Sequence, residues 1–364
     1  MKIRLITLLI ISLFLTLSEA NSQVTRLIVL GDLHYDNLED HDMTWLKTKP
    51  DDLRQVTKEY TVYTAKYWDD FMKVVAQKAK GDGKSAAAII QLGDLSEGLA
   101  GSSAKARQMA QNTIEAIEET KMPSPWILVK GNHDITGPGA PEAFQEFYVP
   151  MIRKQTKNTE IKGANYSFST GNVQIVCLDP WDKSIDIVEF LDKELSGSKA
   201  AIKFVAIHEP VIPVTERCWH VLRREPDRRE KLLEVIAKNK AIVLCGHLHR
   251  YSVVKRNTGN GPILQIMAIS VISDKDYLIP KSVITKYGPS LVDAYPLWEP
   301  QTIDQRKLWL TGESKYVTYY SQTDLPGYAI LNIDSGNNII TLEYFAAFGK
   351  KPFETINLSN LLNK

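Results

Sequence analysis

The chain has 364 residues, 44% of them hydrophobic and 24% charged, enough apolar material for a large core in one big domain or two small ones. Its formal net charge is +1, which removes any charge-based argument for nucleic acid or an anionic membrane as partner and makes attraction for an anionic substrate a local matter. Three cysteines allow at most one bridge within the chain, so stability has to come from the core.

At the N-terminus, Lys2 and Arg4 form a basic patch, the run from Leu5 to Leu17 is almost wholly apolar, and Ser18-Glu19-Ala20 places small residues at the spacing of a cleavage site. These parts read as a signal peptide over 1–20. The run is shorter than the ~20 residues a spanning helix needs, and no cysteine follows it, as a lipidated N-terminus would require. The expectation is an exported chain, secreted or periplasmic, that begins near Asn21 and has no membrane span after cleavage.

Five short apolar runs follow, each ending abruptly in polar residues. RLIVL runs into Gly31-Asp32-Leu33-His34, AAAIIQL into Gly93-Asp94, and PWILVK into Gly131-Asn132-His133-Asp134. AIKFVAI runs into His208-Glu209-Pro210, and AIVLC into Gly246-His247-Leu248-His249. Continuous apolar runs bounded this way predict strands buried on both faces. Amphipathic stretches of helical length separate them: Val62 to Lys80, Ser103 to Thr120, Ile185 to Leu195 and Arg228 to Lys238. Such alternation predicts an α/β architecture, whose site lies beyond the carboxyl ends of the strands. Tyr166–Ser169 and Val173–Leu178 flank a hairpin turn; Tyr251–Lys255, Ile263–Ile269, Tyr328–Ile333 and Ile339–Phe345 read as further strands. Antiparallel strands beside the α/β units suggest two packed sheets with helices outside. Residues 35–55 and 270–323 lack sustained periodicity and read as long excursions near the strand ends; the second is a possible cap or insertion in a single domain spanning 21–364.

Collected, the strand-end residues are Asp32, His34, Asp94, Asn132, His208, His247 and His249. With His133, five of the chain's seven histidines fall in these clusters. In an extended segment residues two apart face the same side, so His247 and His249 can share one point in space. Seven donors are too many for one ion and suit two. A mixed His/Asp/Asn shell without thiolate fits Mn, Fe or Zn rather than Ca or Mg. Two such ions ~3.5–4 Å apart clamp phosphorus for in-line displacement and neutralise the charge that moves in the transition state. A glycine precedes the key polar residue in four of the five clusters, permitting sharp turns and close backbone approach.

The order GDLH, GD, GNHD, His, GHLH resembles the calcineurin-like metallophosphoesterase superfamily, and NYSFSTGNVQIVCLD is similar to the strand pair that follows its third motif. The resemblance covers roughly Val24 to Arg256. It implies an αββα sandwich with two packed mixed β-sheets flanked by helices and the metal site at the C-terminal ends of strands. It assigns one ion to Asp32, His34 and His249 and the other to Asn132, His208 and His247, with Asp94 shared. It also implies attack by a water or hydroxide held between the ions. His133 would contact the phosphate and protonate the departing alkoxide, and Asp134 would orient that imidazole and raise its pKa. Purple acid phosphatases carry a tyrosine ligand three residues after the shared aspartate, where this chain has Glu97, and they lack the counterpart of His34; an iron–tyrosinate centre is therefore not expected. The cysteine-rich extra domain of a sphingomyelinase-like relative is also missing.

The function expected is an exported two-metal hydrolase of phosphoric esters, acting on a small-molecule, lipid or nucleotide ester. Diesters are slightly favoured, because no Arg or Lys in the motifs takes a monoester's second charge. A metal-binding or scaffold protein that has lost catalysis on the same fold is the second reading; it would show degraded ligands, which this sequence does not. Tyr35, Trp45, Trp181, Trp219 and Trp298 are candidate pocket walls. His41 and His220 read as surface or loop residues, Glu209 as a loop residue near the site, and Arg223, Arg224, Arg228 and Arg229 as a solvated face. Cys177 and Cys245 read as buried thiols. Asn165 and Asn357 stand in glycosylation sequons, which matter only in a eukaryotic host.

Overall fold

The computed structural model describes residues 24–81, 83–218, 225–295 and 297–363. The expected signal peptide and Trp219, His220, Arg223 and Arg224 lie outside them.

Two mixed sheets form the body. The first contains β1 (Val24–Leu30), β2 (Ala88–Gln91), β3 (Trp126–Leu128), β12 (Gly327–Asp334), β13 (Ile339–Ala346) and β14 (Glu354–Asn357). Their order is β14-β13-β12-β1-β2-β3, with β1, β2 and β3 parallel and the others antiparallel. The second contains β4 (Tyr166–Thr170), β5 (Val173–Leu178), β6 (Ile202–Ile207), β7 (Ile242–Cys245), β8 (Tyr251–Thr258), β9 (Gly261–Met267), β10 (Val283–Ile284) and β11 (Val317–Thr323). Their order is β10-β11-β8-β9-β7-β6-β5-β4, with β5, β6, β7 and β9 parallel.

Strand periodicity sorts the core into layers. In β5, β6 and β7, Ile175, Cys177, Phe204, Ala206, Ile242 and Leu244 join a core that includes Leu27, Ile89 and Leu331 of the opposite sheet. The alternating residues Val176, Leu178, Val205, Ile207, Val243 and Cys245 join a second core with Leu191, Leu195, Leu232 and Ile236. These last four belong to the helices Ile187–Ser196 and Pro226–Lys238. Side chains of alternating residues point to opposite faces, so both faces of β5, β6 and β7 are packed, as their continuous apolar runs require. Phe71 and Val75 of the helix Tyr60–Lys80 and Met109 and Ile117 of the helix Ser103–Glu119 belong to the larger core. Each such buried side chain contributes about 1.5–3 kcal/mol. The result is the αββα sandwich. All three cysteines are buried free thiols, and no helix among the described residues is long and apolar enough to cross a membrane.

The two excursions are more ordered than their sequences suggest. Residues 35–55 contain the start of a helix, Pro50–Lys58, opened by Pro at its first position and Asp51 and Asp52 in its first turn. Within 270–323, β10 and β11 extend the second sheet, and the helix Ile303–Ser314 buries Arg306 and Glu313 as well as Leu310. Polar residues on buried faces hide both elements from a hydrophobic pattern: Ser321, Gln322 and Thr323 of β11 are buried too.

Candidate metal centre

The parallel strands of both sheets send their carboxyl ends to one edge, where backbone bonds tie the loops together. Leu33 and His34 donate their N–H groups to the Asp94 carbonyl (3.0 and 2.9 Å), and Gly246 donates to the His208 carbonyl (3.0 Å). The His247 N–H donates to the Asp32 carboxylate (2.9 Å), joining one sheet to the other. Gly93 and Gly131 make the approach possible. A Cβ on Gly93 would lie 2.5 Å from His208 Nδ1, and one on Gly131 would lie 2.1 Å from the Asp94 nitrogen. The Gly93 backbone is also left-handed, at φ +93°.

Seven side chains converge there in two overlapping groups. Ligand atoms of Asp32, His34, Asp94 and His249 lie within 4.8 Å of one another, as do those of Asp94, His208 and His247. Asn132 Oδ1 joins the second group, 3.2 Å from His208 Nε2. Asp94 belongs to both. The remaining hydrogen bonds fix which atoms face inward. The His208 Nδ1–H donates to the Leu92 carbonyl (2.7 Å). Its Nε2 is therefore left facing Asp94 Oδ2 at 3.1 Å and His247 Nδ1 at 3.2 Å. The His34 Nδ1–H donates to Glu97 Oε2 (2.7 Å), and its Nε2 meets His249 Nε2 at 3.1 Å. Burial lowers His208, but Asp94 and Asp32 outweigh it and raise His208 to about 10, so with no ion bound a proton sits among these crowded nitrogens and carboxylate oxygens. A metal cation would take its place, and the donor set fits two transition-metal ions.

Two residues whose roles the sequence reading missed hold this geometry, the half-buried Tyr60 and the buried Glu97. Tyr60 stacks on His34 with ring centroids 4.1 Å apart and planes 7° from parallel. Its hydroxyl lies 3.0 Å from His249 Nδ1, so one side chain orients two imidazoles of the same group. Glu97 holds His34 and accepts a bond from Gln55 Nε2 (2.5 Å). In the sequence, Glu97 stands out only as a departure from the purple acid phosphatase pattern. Its position three residues after Asp94 was the available signal, since a carboxylate behind a ligating imidazole is a recurrent arrangement.

His133 stands beside the first group, its ring 4.7 Å from that of His34. Its backbone N–H donates to Asp94 Oδ1 (2.8 Å), and its Nδ1–H to the Glu97 carbonyl (2.7 Å). The expected contact from Asp134 is absent. That carboxylate instead accepts the N–H groups of Gly131 (2.7 Å), Asp94 (3.1 Å), Leu95 (2.9 Å) and Ser96 (3.1 Å). Asp134 thus shapes the loop that presents Asp94, its carboxylate taken up by four converging backbone donors.

Burial acts on every acid here. It pushes Glu97 up to about 8, with Asp36 adding to the rise and His133 opposing it. Asp32 is raised to about 6 by burial and by Asp94, against His208 and His34. Asp134 is raised to about 6 by burial and the Asp94 charge. Asp94 goes the other way: burial raises it, but His208, His133 and His34 together hold it well below the usual carboxylate range. A divalent cation favours the ionised form of each neighbouring carboxylate and the neutral form of each imidazole.

Of the expected pocket walls, Trp181 lies 6.1 Å from the His208 ring. It lines a groove of about 990 Å³ with Lys130, Ile135 and Phe144. Trp298 lies under the guanidinium groups of Arg217 and Arg306. Tyr35 packs edge-on against Trp68, and Trp45 joins a small cluster with Leu46, Val56 and Leu99; both serve packing. His41 is not a surface residue. It is 4% exposed, bonded through Nε2 to Asp36 (2.8 Å) and through Nδ1 to the Leu99 carbonyl (3.1 Å). Arg229 is also buried, pairing with Glu313 (3.1 Å) and donating to the Val211 carbonyl (2.7 Å), whereas Arg228 is half-buried and pairs with Glu225 (2.7 Å). Asn165 uses its side-chain oxygen on the Asp179 N–H (2.8 Å) and buries Nδ2, which closes that sequon in the folded chain.

The fold and this cluster define a class, and the sequence matches the same one. The family of calcineurin-like phosphoesterases matches residues 25–251, more than half of the chain, and the protein belongs to that family, which is dimetal-dependent. Among solved structures it is similar to a dimetal phosphatase from Danio rerio, with a TM-score of 0.52 and 12% identity, over 91% of this chain and 98% of that one. It is also similar to PhoD, with a TM-score of 0.50 and 13% identity, over 92% of this chain and 68% of that one. At such identities the likeness is one of fold. No curated protein matches the sequence.

Proposed function

We propose that the chain is an exported hydrolase of phosphoric esters that uses two divalent transition-metal ions. Asp32, His34 and His249 would hold one, Asn132, His208 and His247 the other, and Asp94 would be shared. The observation that supports this most is the convergence of ligand atoms, with His208 and His34 turned inward by bonds on their outer nitrogens. When bound, the ions supply charge neutralisation at the phosphoryl oxygens and acidify water. His133 has its Nδ1–H committed to the Glu97 carbonyl, so Nε2 is the atom that would carry a proton to the departing alkoxide. Export rests on the leader-like pattern of residues 1–20.

Diesters are the preferred ester class in this reading. No motif residue is a Lys or Arg, and Lys130, directly before Gly131-Asn132, is spent in an ion pair with Asp179. The test uses the purified chain loaded with Mn, Fe or Zn. Bound metal is measured first, then hydrolysis of bis(p-nitrophenyl) phosphate and p-nitrophenyl phosphate, with Asn132→Ala and His133→Ala alongside. About two ions per chain and turnover abolished in both variants are expected. Metal bound without turnover of either ester would favour a scaffold on the same fold instead.

A further inference from the structure

His41 is a buried histidine outside both groups of candidate ligands. A carbonyl oxygen only accepts, so His41 Nδ1 carries a proton and donates it to Leu99 (3.1 Å). Its Nε2 meets the Asp36 carboxylate (2.8 Å), which also accepts the Thr61 hydroxyl. The loop that His41 grips is strained. Gly98, Leu99 and Gly101 have left-handed backbones, at φ +67°, +60° and +87°. A leucine rarely takes this conformation, and it persists only where the surroundings hold it. Four bonds do so. The Glu97 N–H donates to the Tyr35 carbonyl (3.2 Å), the Leu99 N–H to the Thr136 carbonyl (2.9 Å), and the Asp42 N–H to the Ala100 carbonyl (2.8 Å). The fourth is the His41 bond, and of the four it alone comes from a side chain.

The same loop seats His133. The His133 Nδ1–H donates to the Glu97 carbonyl (2.7 Å). A Cβ on Gly98 would lie 2.1 Å from the His133 carbonyl oxygen, so the two backbones touch. The Thr136 that accepts from Leu99 also donates its own N–H to the His133 carbonyl (3.2 Å). The carbonyl that aims the imidazole, on Glu97, is thus two residues from the carbonyl that His41 holds, on Leu99. Gly98 stands between them. Glycine permits the close approach but resists rotation least of all residues, so the twist of the loop has to be set from its far side.

We propose that His41 is a positioning residue for His133: by fixing the Leu99 carbonyl it sets the Glu97 carbonyl, and with it the direction in which His133 presents Nε2 to the departing oxygen. The inference rests on the role given to His133 in the function proposed above and adds to it a residue from outside the motifs. The proton passes from Nε2 to the leaving oxygen as the phosphorus–oxygen bond breaks and its electron pair moves to that oxygen. A misaimed ring therefore matters most where the leaving group is basic and needs the proton.

The test compares wild type with His41→Gln, His41→Asn and His133→Ala in the full chain. A glutamine amide reaches the place of Nε2 and keeps a donor for Asp36; an asparagine amide reaches the place of Nδ1 and keeps a donor for Leu99. With metal loaded, kcat for diphenyl phosphate should fall about 3–10-fold in His41→Gln, against less than about twofold for bis(p-nitrophenyl) phosphate, whose leaving group departs without a proton. His41→Asn should recover most of the loss. A second readout needs no turnover. In the metal-free chain with isotope-labelled histidine, NMR exchange of the His133 Nδ1–H, assigned through His133→Ala, should quicken about 3–10-fold in His41→Gln and stay within about twofold of wild type in His41→Asn. If His133→Ala is selective for the phenyl ester, then equal losses on the two esters in His41→Gln, unchanged exchange, or His41→Asn faring no better than His41→Gln would overturn the inference alone. Equal losses on both esters in His133→Ala would overturn the role of His133 and this inference with it. Quickened exchange in His41→Gln, with neither ester hydrolysed by wild type, would overturn the function proposed above and leave the positioning standing. Thermal melts of the His41 variants separate a misaimed ring from lost folding.

Discussion

Asp134→Ala should cost stability before it costs chemistry. The carboxylate is 4% exposed and accepts the N–H groups of Gly131, Asp94, Leu95 and Ser96. Truncation leaves those four buried donors without an acceptor, at about 1–3 kcal/mol each. Water entering the space recovers part of this, so the low end of the range applies: about 4 kcal/mol, a large fraction of the ~5–15 kcal/mol that holds a typical protein together. Asp134→Asn, which keeps one oxygen, should lose about half as much. The assay is urea denaturation of the metal-free chain followed by tryptophan fluorescence, with ΔG taken by linear extrapolation. A carboxylate that served only the His133 imidazole would leave that curve where it is and remove activity alone. A shift below about 1 kcal/mol, the net worth of a single ordinary hydrogen bond, would refute the reasoning.

Tyr60→Phe keeps the ring over His34 but removes the hydroxyl 3.0 Å from His249. Metal affinity should fall about 10–100-fold at the Asp32–His34–His249 group only, measured by competition with a chromophoric chelator; equal loss of both ions would contradict it. Gly93→Ala adds a Cβ 2.5 Å from His208 Nδ1 at φ +93°. It should break the His208–Leu92 bond and release the ion at His208 first, visible as one ion per chain by elemental analysis. His41 is raised above its ordinary 6.5: burial lowers it, but the hydrogen bond and charge of Asp36 outweigh burial. A folded value above the unfolded one gives stability that is complete below pH 6.5 and is lost as pH climbs through the folded value. Denaturation midpoints should therefore fall more steeply above that pH in wild type than in His41→Gln, and parallel profiles would sink the assignment.

Asp32, His34, Asp94, Asn132, His208, His247 and His249 were legible because each follows an apolar strand run and most follow a glycine. Short-range patterns carry that information: an apolar run marks a buried strand, and its end marks the edge where loops meet. What was illegible depends on partners far away in the chain. Tyr60 falls at the start of a helix whose pattern looked regular only from Val62, and its meaning lies in His249, 189 positions on. Asp134 sits next to His133, and adjacency suggested a partnership that the turn geometry denies. Arg306 lies in a helix, yet it is buried with its guanidinium stacked on the Trp298 ring. A hydrophobic pattern cannot announce a helix whose core residue is an arginine.

His34, Asp94, His247 and His249 share one property not written in their chemistry: all four have left-handed backbones, with φ of 45°, 52°, 74° and 52°. Such conformations cost of order 1–3 kcal/mol each in residues other than glycine. Four held on adjacent loops amount to a cocked spring at the sheet edge, and ions that bind only the folded chain would hold it closed by mass action. The supply of metal would then govern the lifetime of the protein as well as its activity. In a metal-starved compartment, the first sign of want would be loops opened to proteases.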